Sequence, residues 1–367
     1  MKSVKLNLFS RVLCAAMLSF GLVLTSCDNA TDLSGSESAN CYIVSSAGSY
    51  MFRTVQGNSS TSVGSVASAE VLWESFGTDI EPNVGDLIKS VSHSDGYIYF
   101  QTADTFKEGN AVIAAKDASG EILWSWHIWL TDKPEEQVYY NNAGTMMDRN
   151  LGATSATPGD VGALGLLYQW GRKDPFLGSS SISSSTVAKS TISWPSAVSS
   201  DSSKGTIAYA TANPTTFIKY NSNNYDWYYT GSYSTDNTRW ATDKDKSIYD
   251  PCPSGWRVPD GGDNGVWSKA LGSSSSYPGT YNSTNEGMNF SGKFGSASTI
   301  WYPASGYRFD NGGGQTNVGN DGYYWSASPY SGYYAYFLYF YCNGNVGPSL
   351  SNSRAFGYSV RCLQESK

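Results

Sequence analysis

The feature that most constrains this chain is its high aromatic and low charged content, arranged in short runs between Gly, Ser and Asn residues. Aromatic residues occupy 14% of the 367 positions, including 27 Tyr and 12 Trp, whereas charged residues occupy only 15%. Short runs of this kind, bounded by turn-forming residues, predict β-strands. Helical periodicity is scarce, so we expect a β-rich, extracellular type of fold with helix confined to short pieces at residues 165–170 and 265–271.

The N-terminus has the organisation of a bacterial lipoprotein signal. Basic residues precede an apolar run at 12–24 that is too short to span a bilayer, and Leu-Thr-Ser-Cys at 24–27 matches a lipobox. Residues 1–26 are then a signal peptide, and Cys27 is the lipid-attachment site. An ordinary secretory signal with an incidental cysteine is the alternative. The lipobox predicts a protein held to the outer membrane by its N-terminal lipid. It does not decide between the periplasmic and the outer face, and we expect the cell surface.

Charge and histidine content exclude several classes of function. The formal net charge is −7, which argues against nucleic acid as a partner because a phosphate backbone is bound by clustered cations. The chain has only two histidines, His93 and His127, which argues against a histidine zinc site or a Ser-His-Asp triad. His127 lies in an alternating run at 121–130 and points away from the face that carries Trp124 and Trp126, which favours a structural role.

The chain divides into two predicted domains. Residues 27–38 are small and polar and predict a flexible tether. Residues 39–132 predict a β-sandwich, with seven strands at 40–45, 49–55, 70–76, 88–92, 97–102, 111–116 and 121–130. A charged, proline-containing joint at 131–136 marks the boundary. In the second domain, the Ser-rich tracts at 179–203 and 273–276 predict surface insertions that bury little.

Cysteine usage fits an oxidising compartment. Cys14 leaves with the signal peptide and Cys27 carries the lipid, so Cys41, Cys252, Cys342 and Cys362 remain. Four cysteines allow three full pairings, and their spacing alone does not select one.

Six motifs in the second domain carry a family resemblance. They are MDRNLGA (147–153), YQWGRKDPF (168–176), YDPCPSGWRVP (249–259), PASGYR (303–308), YWSAS (324–328) and GYSVRC (357–362). In this order they resemble the Fibrobacter succinogenes major paralogous domain, which is found in surface lipoproteins of gut-type Gram-negative anaerobes. The match covers residues 138–364, and the first domain looks like the β-sandwich modules that often precede it.

The same motifs are similar to bacterial C-type-lectin-like domains, some of them in adhesins, and more distantly to formylglycine-generating enzymes. The resemblance implies a compact α+β domain whose two ends meet, and a Cys252–Cys362 disulfide that closes it. Two separate buried thiols are the alternative. Formylglycine-generating chemistry needs a reactive cysteine pair, and the residues around Cys342 include no cation that would lower its pKa. We therefore expect no enzyme and no catalytic residue.

Calcium is the one cofactor that the sequence suggests. Gly-flanked oxygen donors occur in two stretches, at Asp260, Asp263 and Asn264 and at Asp310 and Asp321. Neither stretch matches an EF-hand loop, and loops of this composition are usually plain turns. The chain is otherwise expected to need no cofactor.

The strongest functional feature is an aromatic loop at 321–334. Its candidate ligand-binding residues are Asp321, Tyr323, Tyr324, Tyr330, Tyr333 and Tyr334. Tyrosine offers a broad apolar face and a polar tip, which suits stacking on a sugar ring or filling a protein groove. The alternative is packing in the core, because residues 333–341 alternate like a strand and half of their rings must face inward. The sequence therefore predicts a binding or adhesion module for a glycan or for a host or matrix protein. The alternative is a structural or tip component that partners subunits of a fimbria-like assembly.

Overall fold

The fold comes from a computed structural model that describes residues 30–35, 37–220, 225–231, 236–242, 245–272 and 280–366. Strands far outnumber helices in these ranges, which confirms the β-rich class. No helix in the described ranges is long and apolar enough to cross a membrane. Cys27, the predicted signal peptide and the Ser-rich tract 273–276 lie outside them.

The N-terminal part of the chain forms two four-stranded sheets. In chain order its strands are β1 (Thr31–Asp32), β2 (Cys41–Val44), β3 (Ser49–Arg53), β4 (Ser68–Ser75), β5 (Ile88–Ser94), β6 (Tyr97–Thr102), β7 (Gly109–Lys116) and β8 (Ile122–Leu130). One sheet has the order β1-β3-β6-β5 and the other β2-β8-β7-β4. The seven predicted strands are β2 to β8, each within a few residues of its predicted bounds.

A common core joins these two sheets into a sandwich. Trp124, Trp126 and Ile128 of β8 alternate onto one face and are buried with Phe52 and Phe100 of the other sheet. The rings of Phe52 and Trp126 lie 5.1 Å apart across the interface. The period-two pattern therefore decides which face of β8 enters this core.

The predicted tether is wrong over its described part. Thr31 and Asp32 pair in parallel with Tyr50 and Met51 as the edge strand β1. Ser34 is buried, and its hydroxyl accepts a hydrogen bond from the backbone N–H of Arg53 (2.7 Å). Small polar side chains fit closely along the edge of β3, so their composition does not prevent the segment from docking.

The C-terminal region, residues 136–366, consists of short strands in several sheets. Its strands are β9 (Glu136–Tyr139), β10 (Gly144–Met147), β11 (Leu167–Gln169), β12 (Val198–Ser199), β13 (Ile218–Lys219), β14 (Ala241–Thr242), β15 (Asp245–Lys246), β16 (Trp256–Arg257), β17 (Tyr281–Asn282), β18 (Gly287–Asn289), β19 (Trp301–Pro303), β20 (Tyr307–Arg308), β21 (Gln315–Thr316), β22 (Asp321–Pro329), β23 (Tyr334–Tyr341), β24 (Val346–Ser353), β25 (Gly357–Ser359) and β26 (Leu363–Gln364). The largest sheet has the order β21-β20-β25-β22-β23-β24, with β11 paired to β25.

The described helices are two short α-helices, α1 (Ile207–Ala212) and α2 (Val266–Leu271), and one 3₁₀ turn at Val161–Ala163. The helix predicted at 265–271 is confirmed as α2. The helix predicted at 165–170 is wrong, because Leu167–Gln169 pairs with β25 as strand β11. A fully buried apolar run of this length suits either structure, and tertiary pairing decides it.

The outer face of the β2-β8-β7-β4 sheet is buried against the C-terminal region. Trp129 donates its indole N–H to the carbonyl of Ala153 (3.0 Å). The Lys173 ammonium donates to the Ser125 hydroxyl (2.6 Å) and to the Asp174 carboxylate (2.7 Å), and all three residues are buried. The two parts of the chain therefore share a hydrogen-bonded interior rather than a flexible joint.

His127 lies in the same interface, in the structural role that its position predicts. Its Nε2 is 2.8 Å from Oδ1 of Asn110, and the Asn110 amide donates to the carbonyl of Gly152 (2.9 Å). Burial lowers the pKa of His127 to about 3, so the ring is neutral at physiological pH.

The Ser-rich tract at 179–203 also contradicts its prediction, since much of it packs on the sandwich. The Ser75 hydroxyl donates to the carbonyl of Lys189 (2.6 Å), and the N–H of Thr191 donates to the carbonyl of Glu74 (3.1 Å). Ser179, Ser190 and Ser200 are buried. Serine hydroxyls here hydrogen-bond to nearby backbone groups, which lets a polar tract enter the interior.

A Cys252–Cys362 disulfide closes the C-terminal region, as the family resemblance implied. The two Cα atoms lie 6.1 Å apart and the cysteines are separated by 110 residues. Cys41 is a buried free thiol, and Cys342 is a half-buried one.

Candidate functional site

The tight turn between β22 and β23 is the centre of the candidate site. Residues 321–329 form strand β22 instead of the predicted loop, which leaves only 330–333 to connect it to β23. The N–H of Tyr330 donates to the carbonyl of Tyr334 (2.9 Å) and closes the turn. Tyr330 is 56% exposed on one side of it, against the edge of Tyr336.

Tyr333 and Tyr334 join two tyrosines from a distant part of the chain. We call Tyr220, Tyr225, Tyr333 and Tyr334 the tyrosine cluster. Tyr225 stacks on Tyr220 with ring centroids 5.7 Å apart and 8° between the ring planes. Its ring also lies 5.9 Å from Tyr333 and 6.0 Å from Tyr334. Four rings therefore meet at the surface, at spacings typical of favourable aromatic contacts.

Tyr225 is held in an unusual backbone conformation. Its φ is +52°, in the left-handed region that bulky residues rarely adopt. The Ser353 hydroxyl donates to its carbonyl (2.5 Å), which helps to fix this conformation. The side chain is 42% exposed. A strained residue that presents an aromatic ring to solvent suggests a functional position.

A buried ionic network holds the segments that carry the cluster. Asp226 follows Tyr225, is fully buried, and forms a salt bridge with Arg239. The Arg354 guanidinium lies 3.7 Å from the same carboxylate and donates to the carbonyl of Ser331 in the turn (2.5 Å). A planar guanidinium can hold several oxygens in fixed directions, so this network sets the position of both segments.

Asp310 gives the cluster an acidic neighbour. The N–H of Tyr220 donates to the carbonyl of Asp310 (3.1 Å). Burial raises the pKa of Asp310 above its usual value. Burial also raises the pKa of Tyr334, with smaller contributions from the neighbouring tyrosines and Asp310. The Tyr334 phenol therefore stays protonated at neutral pH and can donate a hydrogen bond.

The predicted residues Asp321 and Tyr323 lie elsewhere, on the face of the large sheet. The Tyr323 ring packs between Tyr307 (4.8 Å) and Tyr339 (5.1 Å) and is half-buried. The buried Asp321 carboxylate accepts hydrogen bonds from Asn317 (2.5 Å) and Tyr339 (3.3 Å). The Asp321 carboxylate and the Tyr323 ring are therefore both engaged in contacts within the fold.

Tyr324 is a correction to the predicted set. It is fully buried and donates its hydroxyl to the carbonyl of Pro303 (2.6 Å), while its ring packs on Tyr302 (4.8 Å). Neighbouring strand residues face opposite sides of a sheet. Tyr323 and Tyr324 therefore separate, and Tyr324 enters a second core where no ligand reaches it.

The predicted calcium ligands do not converge. The described residues contain no group of three or more His, Cys, Asp or Glu side chains that could hold a metal ion. Asp260 accepts two hydrogen bonds from Arg257 (3.0 and 2.6 Å), and Asp263 lies 3.5 Å from the Ser349 hydroxyl. Asp310 and Asp321 have the contacts described above, and Asn264 is exposed beside Asp263. We therefore place no calcium at these residues.

Sequence reasoning missed Tyr220, Tyr225 and the Asp226–Arg239–Arg354 network. The run Tyr-Asp-Trp-Tyr-Tyr at 225–229 is as aromatic as the segment that was singled out. Its composition is therefore a usable signal, but its contact with the β22–β23 turn spans more than 100 residues and depends on the tertiary fold.

Comparison with known proteins identifies no relative: no family model matches the chain, and neither a curated protein nor a solved structure matches it.

Proposed function

We propose that this protein is a surface lipoprotein of the outer membrane whose C-terminal region binds a glycan on the tyrosine cluster. The observation that carries the proposal is the exposed, backbone-strained Tyr225, stacked among three other tyrosines. Ordinary packing does not require a tyrosine with positive φ at the surface. A binding site that needs a ring in a fixed direction gives a reason for this strain.

The physical chemistry of the cluster suits a sugar ring. Tyrosine faces cover the apolar C–H surface of a pyranose, and the phenol groups donate to its hydroxyls. Tyrosine has few rotatable bonds, so binding restricts little side-chain freedom. Arg354 fixes the segments from inside the protein, which lowers the ordering cost further because the site is formed before the ligand arrives.

The family resemblance supports the same cellular setting. The resemblance of the six motifs to the Fibrobacter succinogenes major paralogous domain and to C-type-lectin-like domains of adhesins implies surface display, and the lipobox at Cys27 would supply an anchor. Substitution Cys27→Ala should release the protein from the membrane fraction, as measured by detergent partitioning. Continued detergent-dependent membrane association of Cys27→Ala would contradict the lipid anchor.

A glycan array tests the proposed ligand class. The soluble protein beginning at Asp28 should bind a subset of printed oligosaccharides, and the Tyr225→Ala/Tyr333→Ala double variant should lose that binding. Both rings are at least partly exposed, so their truncation should change thermal unfolding little. The matched control is Tyr97→Ala/Tyr99→Ala, a pair of partly exposed tyrosines 6.2 Å apart in β6.

Each outcome of the array has a clear meaning. Binding that is lost in the Tyr225/Tyr333 variant but retained in the Tyr97/Tyr99 variant supports the proposal. Normal binding by the Tyr225/Tyr333 variant contradicts it. A loss of several kcal/mol of stability in that variant would also contradict it, because it would identify the rings as packing residues.

A further inference from the structure

A large cleft lies beside the β22–β23 turn. Its volume is about 950 Å³, and Ser328 and Pro329, just before the exposed Tyr330, form part of one wall. We call it the polar cleft. Its polar lining includes Asn142, Asn237, Arg257, Asp260, Asn264 and Lys269. The polar cleft and the tyrosine cluster therefore both border the β22–β23 turn.

The lining of the polar cleft is positive although the protein is acidic. Arg257 donates two hydrogen bonds to Asp260, which balances this pair of charges. Lys269, on helix α2, is exposed and is the remaining charged residue of the lining. The cleft thus has one net positive charge in a chain of net charge −7. An anionic group is attracted to this position more than to the average surface.

The amide groups of the lining suit sugar hydroxyls. Asn142 and Asn264 are exposed in the cleft. A carboxamide both donates and accepts, which matches the two roles of a hydroxyl group. The lining therefore combines groups for neutral hydroxyls with one cation for a carboxylate.

Arg354 connects the cleft to the tyrosine cluster. Its guanidinium donates to Oδ1 of Asn237 in the cleft wall (2.6 Å) and to the carbonyl of Ser331 in the turn (2.5 Å). The same residue makes the ionic contact with Asp226 beside Tyr225. One buried side chain therefore fixes both surfaces relative to each other, as a single extended ligand would require.

We propose that the polar cleft binds a carboxylate-bearing sugar of the same oligosaccharide that stacks a neutral ring on the tyrosine cluster. This inference rests on the proposed function and narrows the ligand to an acidic glycan. The charges also set the direction of the chain. The carboxylate is drawn toward Lys269, the one charge of the lining that no opposite charge of the lining balances.

The test uses an array on which each sialylated or uronate-containing oligosaccharide is printed beside its carboxyl-reduced form. The wild-type protein should bind the acidic form at least fivefold more tightly, as expected for one charge pair close to the protein surface. Lys269→Gln should remove most of this preference and leave binding of the reduced form unchanged. Lys293→Gln, which changes an exposed lysine that does not line the cleft, should retain it.

The outcomes separate this inference from the proposed function. Equal binding of acidic and reduced forms overturns the inference but leaves glycan binding on the tyrosine cluster in place. A preference that persists in Lys269→Gln overturns the assignment of the carboxylate to the polar cleft. Failure of both forms to bind the wild-type protein overturns the proposed function and the inference together.

Discussion

Removal of the Cys252–Cys362 disulfide should cost about 5 kcal/mol of unfolding free energy. The bond joins residues 110 positions apart, and both cysteines are fully buried. In the chain-entropy model, a crosslink that closes a loop of this length lowers the entropy of the unfolded chain by about 16 cal/mol/K, which is about 5 kcal/mol at 25 °C. Since whole proteins are stable by only about 5–15 kcal/mol, this is a large share.

The measurement is urea denaturation at pH 7, followed by tryptophan fluorescence, for wild-type protein and Cys252→Ala/Cys362→Ala. Substitution to alanine also removes two buried sulfurs, so a control for lost packing is needed. Cys41→Ala supplies it, because Cys41 is a free thiol that is only 1% exposed. We expect the double variant to lose well over twice as much unfolding free energy as Cys41→Ala loses.

If the double variant loses no more than twice the unfolding free energy that Cys41→Ala loses, the predicted contribution of the crosslink is wrong. That result would mean that the crosslink restricts the unfolded chain little, or that the unfolded ensemble already keeps the two ends together. Wild-type protein in the presence of reductant should reproduce the midpoint of the double variant, apart from the packing contribution of the sulfurs. A reduced protein with an unchanged midpoint would also contradict the prediction.

Two further predictions concern buried charge. Arg354→Lys should lower the free energy of unfolding by several kcal/mol, as measured by urea denaturation. A single ammonium cannot reproduce the guanidinium contacts with Ser331, Asn237 and Asp226. An unchanged free energy of unfolding would contradict this prediction. His127→Gln should flatten the acid side of the stability profile. The pKa of His127 is about 3 in the folded protein because of burial, so between pH 6.5 and 3 the unfolded chain binds a proton that the folded protein does not. The wild-type protein should therefore lose about 1.4 kcal/mol per pH unit from this group as pH falls, relative to His127→Gln. Asp250 acts in the opposite sense, since burial raises its folded pKa to about 6, but it is common to both proteins and cancels in the difference. If wild-type protein and His127→Gln lose stability in parallel as pH falls, His127 is not the source of the acid sensitivity.

The sandwich strands were predictable because local pattern and tertiary role agree there. Trp124, Trp126 and Ile128 repeat with a period of two, and that face is the one buried in the sandwich core. The opposite face of β8 is also buried, by the C-terminal region, although it carries the polar residues Ser125 and His127. Their burial depends on partners such as Asp174 and Asn110, which no local pattern reveals.

The aromatic segment at 321–334 shows where composition alone is insufficient. It predicted one binding loop, but the structure divides its side chains between a core, a sheet face and a turn. Tyr324 is interior, Tyr323 packs on the sheet, and Tyr333 is part of the surface cluster. An aromatic ring is equally suitable for all three places, so its environment is set by the register of β22 and by the bounds of the turn.

The most informative feature of the candidate site is that two local rules are broken at consecutive residues. Tyr225 has a left-handed backbone conformation, and Asp226 is a fully buried carboxylate. Two guanidiniums face this single carboxylate, those of Arg239 and Arg354, and both also lie over the Trp170 ring at 4.8 and 4.2 Å. Buried ion pairs seldom add net stability compared with apolar packing, because removing the charged groups from water is costly. The aromatic ring offsets part of that cost through cation–π attraction. Under the proposed function, the role of this arrangement is to fix the direction of the exposed Tyr225 ring before the ligand arrives.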